Sequence, residues 1–93
     1  MTSLLEALRA DDTRVACQIA GRLRLADPAG PDARILRIVH TSLAFTPVEE
    51  VTADMVAALA EQVARWIAGD RTHPTRPRGF RVLPIWALDG WAP

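Results

Sequence analysis

The chain has 93 residues, a single cysteine, and eleven arginines against eleven acids, for a formal charge of zero. That length fits one domain near the lower limit for a core without disulfide or metal support, and a lone cysteine excludes an internal disulfide. The opening MTSLLEALRADD has no basic run ahead of its leucines and no long apolar stretch, so it reads neither as a secretory signal nor as a membrane span. With a lone thiol, the expectation is a cytoplasmic protein without a membrane partner.

Lysine, asparagine and tyrosine are absent and alanine abounds. Those are the residues a GC-rich coding sequence avoids and favours, so the choice of arginine carries little functional meaning. Charge is uneven along the chain: residues 1 to 64 hold six arginines and nine acids, residues 65 to 93 five arginines and two acids. A basic tail of this kind meets a nucleic acid or an acidic partner, or docks on the acidic body of its own chain.

Ser3 with Glu6 three residues on, and Leu4, Leu5 and Leu8 at helical spacing, predict a short first helix. Asp11 or Asp12 starts a second, with Val15, Ile19, Leu23 and Ala26 on its apolar stripe and Arg14, Gln18 and Arg22 opposite. Pro28 and Gly30 break the chain into a turn. Pro31 suits the first turn of a third helix, where Ile35, Leu36, Val39 and Leu43 face inward and Arg34, Arg37 and Thr41 outward.

Two starts compete for the fourth helix. Thr46, Pro47 and Glu49 match a capping box, whereas Thr52 can cap a shorter helix from Ala53. Val56, Leu59, Val63, Trp66 and Ile67 form its core stripe in either case, Glu61 can pair with Arg65, and Gly69 ends it. The fold expected is therefore all-α: a three- or four-helix bundle over residues 1–69, followed over 70–93 by a Pro/Arg-rich strap and an apolar, tryptophan-containing arm. Within that arm, residues 80–88 allow an edge strand at most, because Pro84 cannot donate to a ladder.

Residues 14–44, RVACQIAGRLRLADPAGPDARILRIVHTSLA, resemble a tetratricopeptide-type helical hairpin, and more closely the dimerisation domain of alkyl sulfatases of the metallo-β-lactamase class. The likeness rests on Ala16, Ala20, Leu23, the Ala26-Asp27-Pro28 stop, and Ala33, Arg34 and Leu36. It covers about a third of the chain and lacks the aromatic repeat signature of the tetratricopeptides. In that family the segment joins subunits and is not the metal site, so the resemblance implies self-association and carries over no catalytic role.

Catalytic chemistry finds little footing. Cys17, His40 and His73 lie on separate segments without metal-ligand spacing. His40 flanks the apolar face of the third helix, which fits a half-buried, hydrogen-bonded imidazole. The carboxylate pairs at 11–12 and 49–50 sit at helix starts, where the macrodipole accounts for them. No Gly-rich phosphate loop occurs. We expect no catalytic, cofactor or metal site and no enzymatic activity.

Two binding readings remain, and a weaker third. Phe80, Leu83, Ile85, Trp86 and Trp91 give the arm more apolar surface than a free tail leaves in water. It completes the chain's own core, or it docks on a protein partner or a second copy, with Trp86 and Trp91 as anchors. The alternative is a small nucleic-acid-binding regulator, in which Arg65, Arg71, Arg76, Arg78 and Arg81 track a phosphate backbone and Trp66 and Phe80 stack on bases. In the third, the helices are a leader and the GWAP end is a tail for modification.

Overall fold

A computed structural model describes residues 1–71 and 73–81. Among them the chain forms four α-helices and no strand: α1 Thr2–Arg9, α2 Thr13–Ala26, α3 Ala33–Phe45 and α4 Ala53–Ile67, with a 3-10 turn at Val48–Glu50 before α4. The all-α bundle read from the periodicity is the fold observed.

Helix starts follow side-chain chemistry, with informative departures. Asp12 caps α2, its carboxylate accepting from the Val15 N–H at 3.2 Å. Between α1 and α2, Asp11 takes a left-handed conformation (φ 57°), which a short polar side chain tolerates better than most. α1 begins at Thr2 with no side-chain cap, so Ser3 does not close the box with Glu6. α3 starts two residues after Pro31 rather than on it, and Asp32 at its cap makes no capping bond. The Asp32 carboxylate is engaged elsewhere, accepting from Trp66 Nε1 at 2.7 Å.

The two starts for the fourth helix resolve in favour of Thr52. Its hydroxyl accepts from the Met55 N–H at 3.2 Å, and its own N–H donates to Met55 Sδ. Thr46 cannot cap because its hydroxyl accepts from the Arg81 N–H at 2.8 Å. At the other end Gly69 takes a positive φ of 102° just past the last turn, the backbone that ends a helix with a glycine.

The core is a single cluster contributed by every helix. Leu4 and Leu8 from α1, Ala16 and Ala20 from α2, Ile35, Leu36 and Val39 from α3, and Val56, Leu59, Ala60, Val63 and Trp66 from α4 are buried together. α2 turns a different face inward from the one its large residues predict: Val15 and Ala26 are exposed and Ile19 and Leu23 half-buried. The reason is its place between α1 and α3, which small residues serve better than branched ones. At Gly21 an added Cβ would stand 3.0 Å from His40 Nε2, so glycine lets α2 approach α3 there. On α3, Ser42 is buried and Leu43 only partly so, and on α4 Ile67 is exposed.

Candidate functional site

The strap after α4 lies against the bundle, and its arginines hold it there. Arg71 stacks over the Trp66 ring, 5.0 Å from the centroid, and approaches the Asp32 carboxylate at 3.6 Å. Five residues on, Arg76 donates through Nε to Ser42 Oγ at 3.0 Å and through Nη2 to Thr41 Oγ1. After another five, Arg81 forms a bidentate pair with Glu50 at 2.9 and 3.0 Å. Gly79, at φ 98°, passes so close to α4 that a Cβ would stand 2.9 Å from Met55 Sδ.

This arrangement decides the placement of the residues singled out from sequence. Arg65 pairs with Glu61 one turn earlier. Arg71, Arg76 and Arg81 are spent on the bundle's own side chains, and of the strap arginines Arg78 alone makes no ion pair or hydrogen bond among the described residues. Neither proposed stacking ring faces outward, because Trp66 is 4% and Phe80 8% exposed. Phe80 is a core residue rather than a displayed anchor. It and Arg81 have no regular secondary structure. Leu83, Ile85, Trp86 and Trp91, with the rest of the 80–88 edge-strand expectation, lie outside the described residues.

The side chains with chemical potential stay apart. Burial pushes the Cys17 thiol up, away from the thiolate that a nucleophile needs. His40 is half-buried and accepts at Nδ1 from the Arg24 guanidinium at 3.2 Å, which places its ring proton on Nε2. Burial first, and the Arg24 charge second, hold its pKa below the ordinary histidine value. His73 is exposed in the strap. Among the described residues no group of three His, Cys, Asp or Glu side chains converges as metal ligands, and no helix is long and apolar enough to cross a membrane.

A groove between α1 and α4 was not foreseen. It has a volume of about 460 Å³ and is floored by Leu8, Val56 and the alanines at 53, 57, 60 and 64, with Arg9, Asp11 and Glu61 at its rim. Alanines 53, 57, 60 and 64 recur at helical spacing one face away from the core stripe, a pattern in the sequence that could have revealed it. No protein family, curated protein or solved structure matches the chain.

Proposed function

We propose that the chain is a non-enzymatic protein–protein interaction module that associates with itself. The observation carrying this reading is the α1–α4 groove, an open apolar surface in a bundle where most other large apolar side chains among the described residues are inside. The groove presents alanine methyls and aliphatic side chains, with charge only at its rim, as a packing surface does. The resemblance of residues 14–44 to a dimerisation hairpin agrees with it. The apolar residues Leu83, Ile85, Trp86 and Trp91 add further contact area to such a module. Sedimentation velocity over a wide concentration range tests the reading: association that grows with concentration supports it, and a single monomeric species throughout opposes it.

One observation favours a second reading, in which the chain binds nucleic acid through a surface other than the strap. α2 and α3 carry Arg14, Arg22, Arg24, Arg34 and Arg37 and no acid. Of these, Arg14, Arg22, Arg34 and Arg37 are exposed and without an ion pair among the described residues. Titration of a labelled duplex at two salt concentrations tests it. Binding that weakens steeply with salt and is lost on reversing Arg22 and Arg37 supports phosphate recognition.

A further inference from the structure

Resting on the self-association reading, we propose that the α1–α4 groove of one copy receives Leu25, at the end of α2, from a second copy. Leu25 is 83% exposed, the most of the large apolar residues among those described. It stands in the last turn of α2, three residues after the exposed Arg22, and α2 and α3 together carry Arg14, Arg22, Arg24, Arg34 and Arg37 and no acid. Asp27, the nearest acid in sequence, turns its carboxylate back toward Gly30 within the α2–α3 turn. This exposed leucine lies on the arginine-bearing α2–α3 pair, and burial against a second copy recovers its apolar surface.

The groove has the complementary character. Its floor is aliphatic and, Val56 apart, its floor residues on α4 are alanines, so it admits a branched side chain that a larger lining would fill. Its lining charges are Arg9, Asp11 and Glu61, and α1, the turn after it and α4 together carry Glu6, Asp11, Asp12, Asp54 and Glu61 against Arg9 and Arg65. An apolar knob on a basic helix pair thus meets an apolar hole between mostly acidic helices. Charge of this kind sets orientation and encounter rate, while the buried leucine supplies the packing contact. Val48 is also prominent, at 73% exposed, but its neighbours Glu49 and Glu50 share the sign of the groove's surround. Leucine 25 is the knob whose flanks fit.

Knob and hole are different surfaces, since Leu25 takes no part in lining the groove. The contact closes a two-fold dimer where each copy's knob reaches the other's hole, and otherwise propagates into a ring or a chain of copies. That geometry gives a specific test on the full chain. Leu25→Asp removes the knob at an exposed site, and Ala57→Trp fills the hole from an exposed position on the groove wall. Circular dichroism checks that both fold, with Leu25→Ser as the milder second knob variant. Each variant alone is expected to be monomeric by light scattering, whereas an equimolar mixture forms a one-to-one complex and nothing larger, because each partner keeps one working surface. Added salt is expected to weaken that complex. If the unaltered chain associates but Leu25→Asp and Leu25→Ser associate equally well, Leu25 is not the occupant and this proposal fails while self-association stands. A chain stopped after Arg81 then shows whether the occupant is the arm of residues 82–93. An unaltered chain that is monomeric at every concentration overturns the self-association reading and this inference with it.

Discussion

Arg76 reaches across 34 positions of sequence to donate to Ser42, a residue with no exposed surface, at 3.0 Å. A buried hydroxyl needs a partner, and the strap supplies it. The strap is thus a structural part of the bundle, which is why its arginines serve poorly as a free basic patch.

Removing the guanidinium leaves the Ser42 hydroxyl buried without that partner. Arg76→Ala is expected to destabilise the fold by about 1–3 kcal/mol. Arg78→Ala, at an exposed position without a hydrogen bond or ion pair among the described residues, is expected to stay within about 0.5 kcal/mol. Urea denaturation of the two variants checks this, and equal midpoints would mean that the strap contact contributes nothing.

Trp66 joins α4 to the start of α3 through its bond to Asp32 and carries Arg71 on its face. Trp66→Phe keeps most of the apolar volume but loses the donor and leaves the Asp32 oxygen only Arg71 at 3.6 Å, so a loss of about 1–3 kcal/mol is expected from the lost bond and the weaker stacking. Adding Asp32→Ala to Trp66→Phe should cost less than the sum of the single changes, a coupling that a double-mutant cycle measures.

His40 gives the fold a pH response. Its pKa in the folded chain lies below the unfolded value near 6.5, so the unfolded state binds the proton more readily and stability rises with pH. The imidazole therefore costs nothing at neutral pH, and stability is lost as pH falls from about 6.5 through the lower folded-state value. Protonation also removes the acceptor that Arg24 uses. Melting temperatures between pH 7.5 and 5 should fall more steeply for the natural chain than for His40→Gln; parallel curves would assign the acid response to other groups.

Gly79 combines a positive φ with a close approach to Met55. Gly79→Ala pays both the backbone strain and the displaced thioether, and is expected to cost about 1 kcal/mol or more. Thermal unfolding reads the difference, and an unchanged midpoint would show that the strap leaves α4 at no penalty.

Much of the fold was legible because periodicity reports which face is apolar: the stripes of α3 and α4 are those the spacing of Ile35, Leu36, Val39, Val56, Leu59, Val63 and Trp66 implied. Local sequence was less able to state where polar side chains are spent. Thr46 looked as good a cap as Thr52 until Arg81 took its hydroxyl, and Asp32 left its cap for Trp66, both through partners more than thirty residues away. The inward face of α2 was misplaced for a related reason, since branched residues mark an apolar face but only neighbours on both sides make alanine and glycine the better fit. For the candidate site, sequence correctly raised docking of the basic tail on the chain's own acids as one explanation, and Arg71 with Asp32 and Arg81 with Glu50 realise it. The groove went unread because the alanines at 53, 57, 60 and 64 were not read as a face of their own, and their spacing alone does not say that α1 leaves that face open.

The most direct measurement is light scattering after size exclusion on the full chain at two salt concentrations, beside a chain stopped after Arg81, which retains the buried Phe80 and the Glu50 pair. The account predicts for each chain a mass above that of its own monomer, 10.2 kDa for the full one, decreasing at high salt. A full chain that stays monomeric in both buffers at every concentration tested would contradict it.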